Sequence, residues 1–321
     1  MTTYKGIKGF TVQNVASDPT ANTGQVWYNS TTNLLKYSGV TTSGSWTTGG
    51  NLGTSSGDGA SAGTQTAAIF MGRVTGGGNY NTTSEKYDGS SWTATPSLGT
   101  ARRSGTGIGT STAAVVAGGQ TTGGGNISTV ENWNGSAWTT GTAIATARRA
   151  MGSSSSGTQT AMIVFGGGEP ISTATESWNG SSWSTVGSLN AARYVLGGAG
   201  TQPAALAFGG TSPVSNASEE WDGSSWTSGN TLGTARYGGG SAGIQTAALY
   251  MSGGNAPVVT NVEKYNGTSW SNDTVVPTGK SKTNGAGTQT AGLMIGGLSP
   301  TTATFEFTGA GAASTKTVST E

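Results

Sequence analysis

The feature that most constrains this chain is a phrase of about 25 residues that recurs roughly every 45 residues. In most copies an apolar run ends in Gly-Gly, a Glu precedes an aromatic residue, and an Asn-Gly or Asp-Gly pair is followed by a Trp. The clearest copy runs from Thr158 to Trp183. A repeat of this length predicts that each copy forms one structural unit. Residues shared by all copies are therefore expected to build the fold, and function is expected where the copies differ.

The copy at residues 102–138 shows how one unit divides into strands. Its successive segments are Gly-rich, apolar, alternating and Trp-containing, which predicts four strands: 103–109, Thr112–Ala117, Ser128–Trp133 and 136–140. Asn134-Gly135 lies between the last two strands and suits a two-residue hairpin, because both turn positions need positive φ. Each repeat is thus predicted to be a four-stranded antiparallel blade of a β-propeller.

The phrase resembles the Kelch repeat over residues 43–309. The resemblance is carried by Gly-Gly after an apolar strand, by an aromatic residue and a Trp on either side of a turn, and by a basic residue that opens five units: Arg102, Arg148, Arg193, Arg236 and Lys280. The spacing from Tyr87 to Trp92 is shorter than in typical Kelch repeats. The first copy also departs from the pattern, with Gly72-Arg73 in place of Gly-Gly and Ser56 in place of the basic residue.

Counting strands predicts an all-β protein, a six-bladed Kelch-like β-propeller. The last unit reaches its third strand at residues 303–307 and has no Trp strand of its own. The strand around Trp46 precedes the first full unit, so we expect it to close the last blade beside Phe305–Phe307. Such closure removes a free sheet edge. Leu35–Tyr37 is an alternative third strand for that blade, and the sequence leaves the choice open.

Composition excludes several classes of function. The chain has no Cys and no His, so disulfides, Cys/His zinc sites and Ser–His–Asp triads are impossible. We expect no catalytic residue, no metal site and no cofactor. The net charge of +1 gives no basis for nucleic-acid binding, and no apolar run is long enough for membrane insertion. The first residues also lack the apolar core of a signal peptide.

Residues 1–42 do not repeat and are expected to form an attachment segment. Two short strands around a turn at residues 30–33 predict a β-hairpin extension. The phrase Gly-Gln-Val-Trp-Tyr-Asn-Ser-Thr-Thr-Asn at 24–33 resembles a hairpin of bacteriophage tail-fibre and other virion appendage proteins. The Gly/Thr-rich repeats and the ending at 307–311 resemble marine phage structural proteins. The expected organisation is an attachment segment at 1–42, a propeller at 43–309 and a C-terminal tail at 310–321.

Binding is expected on the face that carries the variable loops. The Thr-Gln-Thr and Asn/Asp-Gly turns are uniform and share one face, whereas the second-to-third and fourth-to-first connections share the other face. The second-to-third connections differ most among the copies. Variable loops on a rigid scaffold commonly bind ligands. The basic residues are expected near the axis on this variable-loop face. Two roles are open for them, structural bonds at strand ends or an anion or glycan site: Arg102, Arg148, Arg193, Arg236 and Lys280.

The phage resemblance implies a virion structural protein, a tail fibre or a capsid or tail appendage, located in the virion after assembly in the host cytoplasm. It implies contacts with other virion proteins through the N-terminal segment and adhesion to a host-surface glycan, and it leaves self-association in the particle open. The alternatives are a sialidase-like propeller hydrolase and a bacterial protein-interaction propeller. A glycosidase needs two carboxylates at one pocket. The variable-loop face offers chiefly Glu169, with Asp273 near a blade edge, so we expect no enzyme.

Overall fold

The computed structural model describes residues 12–19, 25–40, 43–75, 78–254, 257–298, 301–310 and 313–317. The first residues of the expected attachment segment, parts of three variable loops (76–77, 255–256 and 299–300) and the end of the phage-like ending lie outside the described residues. The chain divides into two compact units. One unit is Trp46–Phe307, and the other combines Met1–Ser45 with Thr308–Glu321.

All regular structure among the described residues is β-strand, which confirms the all-β prediction. The first strands in chain order are β1 (Gln13–Val15), β2 (Val26–Asn29), β3 (Leu34–Val40), β4 (Ser45–Thr48), β5 (Ala60–Gly63), β6 (Ala68–Val74), β7 (Tyr80–Tyr87), β8 (Trp92–Thr95), β9 (Thr106–Gly109), β10 (Ala114–Ala117), β11 (Val130–Trp133), β12 (Trp138–Gly141), β13 (Gly152–Ser153) and β14 (Met162–Phe165). The others are β15 (Thr175–Trp178), β16 (Trp183–Val186), β17 (Gly197–Thr201), β18 (Ala204–Phe208), β19 (Ser218–Trp221), β20 (Trp226–Ser228), β21 (Gly240–Ile244), β22 (Ala247–Met251), β23 (Val262–Tyr265), β24 (Trp270–Asp273), β25 (Asn284–Gly287), β26 (Ala291–Ile295), β27 (Thr304–Thr308) and β28 (Ala313–Thr317).

Five sheets follow the repeat directly, each built from four consecutive strands. They are sheet 1 (β5–β8), sheet 2 (β9–β12), sheet 3 (β13–β16), sheet 4 (β17–β20) and sheet 5 (β21–β24). Their neighbouring strands pair antiparallel, as predicted; in sheet 2, Ala114 pairs with Trp133 and Trp133 pairs with Trp138. Sheet 6 has the order β25, β26, β27, β4, so the strand that contains Phe305–Phe307 lies between β26 and the Trp46 strand.

A seventh sheet is present among the described residues, where the sequence predicted six sheets and a hairpin. This terminal sheet has the order β1, β2, β3, β28. β2 and β3 form the expected hairpin, β1 pairs parallel to β2, and β28 pairs antiparallel to β3. The segment that the sequence assigned to a tail is therefore partly a strand. The physical reason is that β3 is seven residues long and offers a free edge, which β28 covers.

The apolar core of Trp46–Phe307 lies between neighbouring sheets. One cluster joins Ile69 and Met71 of sheet 1 to Val116 of sheet 2, and another joins Phe70 of sheet 1 to Leu293 of sheet 6. The alternation of strand side chains explains both, because Ile69 and Phe70 point to opposite faces of one strand. The repeated Trp residues pack against these clusters, and five of them are Trp46, Trp92, Trp138, Trp183 and Trp270.

A glutamine in the turn between the first two strands ties five of the six sheets to the sheet before it. The Gln159 side-chain amide donates to the carbonyl oxygens of Ala114 and Trp133 at 3.1 and 3.0 Å, across the boundary between sheets 3 and 2. Equivalent bonds, here called glutamine clasps, are made by Gln65, Gln202, Gln245 and Gln289. Sheet 2 has Ser111 at this position and so has no clasp to sheet 1. Gln65 joins sheet 1 to sheet 6 through Phe307.

The first strand of each sheet contacts the first strand of the next, and β25 contacts both β21 and β5. This places the Gly-rich first strands together around a common centre, as the small side chains of 103–109 predict. The architecture of Trp46–Phe307 is a β-propeller. Within the described residues there is no helix of the length and apolarity that a membrane crossing requires.

Candidate functional site

The four arginines of the predicted basic ring are buried and paired with glutamates. Arg102 and Arg236 have no exposed surface, and Arg148 and Arg193 are at most 2% exposed. The partners are the glutamates that precede the aromatic residue of the same sheet. Three pairs have distances of 2.6 Å, and all four are Arg102–Glu131, Arg148–Glu176, Arg193–Glu219 and Arg236–Glu263.

Each ion pair fixes two loops. Arg102 lies just before the first strand of its sheet and also donates to the carbonyl oxygens of Gly118 and Thr129, at 2.8 and 3.0 Å. Glu131 accepts the backbone N–H of Gly99, at 2.6 Å, from the loop that arrives from the preceding sheet. Desolvation lowers the pKa of Arg102, and the charge of Glu131 opposes this effect. The four arginines therefore make structural bonds within their sheets, the first of the two roles that the sequence left open.

Lys280, the fifth predicted binding residue, has a different environment. It is partly buried, and among the described residues no carboxylate pairs with its side chain. Phe305 stands where the other sheets have the paired glutamate. The prediction thus combined two kinds of residue, four buried arginines and one unpaired lysine. The sequence shows that the arginines and the glutamates recur with the same period, but the sequence analysis did not predict that they pair with each other.

A second set of residues lies two positions after the basic residues and, in sheet 1, two positions after Ser56. These residues, here called the mouth residues, all have positive φ between 49° and 59°: Asp58, Ser104, Ala150, Val195, Gly238 and Lys282. Left-handed backbone is rare for residues other than glycine, and rarest for a branched one such as Val195. Backbone hydrogen bonds hold this conformation, because Ser104 donates to Asp58 at 2.7 Å and Ala150 donates to Ser104 at 2.7 Å.

The same bonds continue around all six sheets. Val195, Gly238 and Thr283 donate in turn to the carbonyls of Ala150, Val195 and Gly238, at 2.8, 2.9 and 3.1 Å. Asp58 donates to the carbonyl of Lys282 at 3.1 Å, which returns the series to its start. The mouth residues are thus joined in a circle. Their neighbours bridge to the starts of the variable loops, as in Arg149 with Gly168 and Tyr194 with Thr211, so the circle lies on the variable-loop face.

Asp58 is a carboxylate that the sequence analysis did not single out. It accepts the Ser104 hydroxyl at 2.7 Å and the Lys282 ammonium at 3.2 Å, and the Arg103 guanidinium lies 3.9 Å away. The Asp58 side chain is 8% exposed, whereas those of Lys282 and Arg103 are 22% and 24% exposed. In the sequence, only its position in the repeat could have indicated Asp58. It lies two residues after Ser56, as Ser104 lies two residues after Arg102.

Gln120 joins the cations Arg103 and Arg149 beside the mouth residues. Its side-chain oxygen accepts from Nε and a terminal nitrogen of Arg103, at 3.0 and 2.7 Å, and from Arg149 at 3.3 Å. Arg149 also pairs with Glu169 at 2.6 Å. The Arg103 guanidinium lies over the ring of Tyr80, 4.7 Å from its centre. Glu169, the carboxylate predicted for this face, is therefore present but bound to an arginine.

Two cavities adjoin the circle. One of about 230 Å³ is lined by Arg149, Tyr194, Tyr237, Lys282 and neighbouring mouth residues, and is here called the channel mouth. A smaller cavity of about 120 Å³ lies along the first strands and is lined by serines and glycines, among them Ser61, Ser153 and Ser241. No group of three or more acidic side chains that could hold a metal ion occurs among the described residues. Cations, tyrosine rings and hydroxyls suit a polar ligand with an anionic group.

Comparison with known proteins identifies the fold alone. No protein-family model matches the chain, and no curated protein sequence matches it. The chain is similar to the solved structure of YjhT, with a TM-score of 0.62 and 13% sequence identity. The match covers 83% of this chain and 95% of that one. This likeness supports the β-propeller, and at this identity it carries no information on ligand or activity.

Proposed function

We propose that the chain is a bacteriophage virion structural protein, a tail-fibre or capsid appendage that binds a host-surface glycan and catalyses no reaction. Its propeller is a six-bladed Kelch-like ring, closed in sheet 6 by the N-terminal strand β4, and residues 1–42 attach it to other virion proteins. The circle of backbone hydrogen bonds through six sheets supports the blade count. The order β27, β4 in sheet 6 supports the closure.

The channel mouth carries the binding proposal. Tyr194 and Tyr237 present rings on which a sugar can stack, and Arg149 and Lys282 supply donors for its oxygens. Lys282 belongs to the circle that hydrogen bonds hold in place, and each of the other three directly precedes a member of it, so little conformational entropy is lost on binding. The adjoining loops differ among the sheets, which gives one side of a ligand a different environment from the other.

Binding can be measured with purified protein and host cells or their extracted polysaccharide. We expect saturable binding that falls at least about tenfold in Tyr194→Ala and Tyr237→Ala, since each loses a stacking surface. Tyr37→Ala is the matched control, because Tyr37 is 38% exposed and lies in the other unit. Absence of binding by the unaltered protein contradicts the adhesion proposal. Absence of the chain from purified virions, measured by mass spectrometry, contradicts the virion proposal.

A hydrolase is the second candidate, because Asp58 and Glu169 are two carboxylates near the same mouth. Both are in ion pairs, which suits fixed structural roles better than proton transfer. Release of reducing ends from host polysaccharide, abolished in Asp58→Asn and in Glu169→Gln, would favour this candidate. We expect no release.

A further inference from the structure

We infer that Arg103 and Arg149, joined by Gln120, form an oxyanion subsite beside the channel mouth. The inference rests on the proposed glycan adhesion and specifies its ligand, a glycan that carries a carboxylate or phosphate group. It concerns Arg103 and Arg149, which directly follow Arg102 and Arg148 of the predicted basic ring and are partly exposed, whereas Arg102 and Arg148 are buried.

Gln120 fixes the direction of both guanidinium groups. Its residue is 6% exposed, and its side-chain N–H donates to the carbonyl of Gly124 at 2.9 Å, so its oxygen faces the arginines. That oxygen accepts from Arg103 and Arg149 within 3.3 Å. The ring of Tyr80 supports the flat face of the Arg103 guanidinium. Two guanidinium groups are thus held close together before any ligand arrives.

The partner that joins them is neutral, which is unusual in this protein. Wherever an arginine is fully buried its main partner is a glutamate, as in Arg148–Glu176. Gln120 offers the same kind of acceptor oxygen without a negative charge, so it orients Arg103 and Arg149 and leaves their charge for another group. Repulsion between the two cations is lowest when an anion lies between them or beside both.

Both arginines retain unused donors. An arginine has five N–H groups. The bonds to described residues use two of them on Arg103, at Gln120, and two on Arg149, at Gln120 and Glu169. The Arg103 and Arg149 side chains are 24% and 13% exposed, so a ligand can reach them. The planar guanidinium fork matches carboxylate and phosphate oxygens in pairs.

The two nearby carboxylates do not block the subsite. Asp58 is 3.9 Å from Arg103 and makes shorter bonds to Ser104 and Lys282. The Glu169 side chain is 62% exposed, and exposed ion pairs contribute little to stability. An incoming oxyanion can therefore replace Glu169 on Arg149 at small cost, while Asp58 stays with its own partners.

The test uses the full chain and three probes: inorganic phosphate, glucuronate and glucose. We expect phosphate or glucuronate to bind the unaltered protein in a titration followed by NMR or calorimetry, and glucose to bind at least about tenfold more weakly. Gln120→Glu keeps the acceptor oxygen and cancels charge, so oxyanion affinity should fall at least about tenfold in a chain that still unfolds cooperatively. Arg149→Ala should act in the same way. Lys86→Ala removes a cation from β7 and is the matched control, with unchanged affinity.

Each outcome decides a separate point. Binding of phosphate alone or glucuronate alone identifies the source of the oxyanion, and binding of neither contradicts the subsite. Equal affinity for glucose, or unchanged oxyanion affinity in both Gln120→Glu and Arg149→Ala, also contradicts it. Host polysaccharide is measured in parallel. A protein that binds only neutral polysaccharide contradicts the subsite alone, and one that binds oxyanions but no host polysaccharide contradicts the proposed adhesion alone.

Discussion

Arg73 donates to Glu85 at 2.7 Å and gives sheet 1 a buried arginine–glutamate pair. In sheets 2 to 5 the paired arginine lies at another position of the repeat, just before the first strand. The usual arginine position holds Ser56, whose hydroxyl accepts from the same Arg73 nitrogen at 2.9 Å. Arg73 itself stands at the second glycine of Gly-Gly. In sheets 4 and 5 this second glycine is Gly210 and Gly253. A Cβ added to either glycine would lie 3.3 Å from the side chain of the buried arginine of the same sheet. Each of sheets 1 to 5 therefore has an arginine at one of these two positions.

This exchange predicts the behaviour of two variants. Arg73→Gly leaves Glu85 buried without its cation, and we expect it to lose about 3–5 kcal/mol of unfolding free energy. The double variant Ser56→Arg with Arg73→Gly restores the pattern of sheets 2 to 5 and should recover most of the loss. Denaturant unfolding measures both. A double variant as unstable as Arg73→Gly would show that the positions are not interchangeable.

The missing glutamine clasp predicts a stabilising substitution. Ser111→Gln should let sheet 2 donate to carbonyls of sheet 1, as Gln159 does between sheets 3 and 2, and add about 1 kcal/mol. Ser84 Oγ of sheet 1 and Trp138 Nε1 of sheet 2 are also buried and have no hydrogen-bond partner among the described residues. The control Gln159→Ala should lose about 1–2 kcal/mol, because it leaves two carbonyls unpaired. Unchanged stability in Ser111→Gln would contradict the role of the clasp.

The contribution of β4 to sheet 6 predicts the effect of Trp46→Ala. Trp46 packs 5.0 Å from the Phe307 ring, and its indole N–H donates to the carbonyl of Thr274 at 2.9 Å. We expect a loss of about 3 kcal/mol, measured by thermal and denaturant unfolding. Trp183→Ala, in a sheet made of consecutive strands, is the matched control and should lose a similar amount. A stable Trp46→Ala beside an unstable Trp183→Ala would contradict closure by β4.

The Asp-Gly turns predict a pH dependence. Backbone and side-chain hydrogen bonds from Ser225 and Ser224 lower the pKa of Asp222 from 3.8 to about 2. A lowered pKa in the folded state means that the stabilisation is present above pH 3.8 and is lost as the pH falls toward 2. Asp222→Asn keeps the acceptor oxygen and should flatten this part of the stability profile. Asn179→Asp, in the equivalent turn, should introduce an acid-dependent loss; parallel profiles of all three proteins would contradict the assignment.

Particular residues show how far the sequence reaches toward the site. The ring of Arg102, Arg148, Arg193 and Arg236 was visible as a repeat, but its burial was not, because a period gives no information on which direction a side chain points. Asp58 and Gln120 belong to no shared motif. Their role is visible only from the contacts that both make with Arg103 and that Gln120 makes with Arg149. Ser56 and Arg73 were each visible as departures from the repeat, and only their contact shows that one compensates for the other.

By itself the sequence determined the repeating unit, its four antiparallel strands and its Asn/Asp-Gly turns, because these depend on alternation and local backbone preference within a few residues. The tertiary structure decided which arginines are buried with glutamates and which are partly exposed, and it joined β28 to β3 in a sheet that the repeat does not contain. These outcomes depend on contacts between residues far apart in the chain. Such contacts are set by packing between sheets, which no single repeat contains.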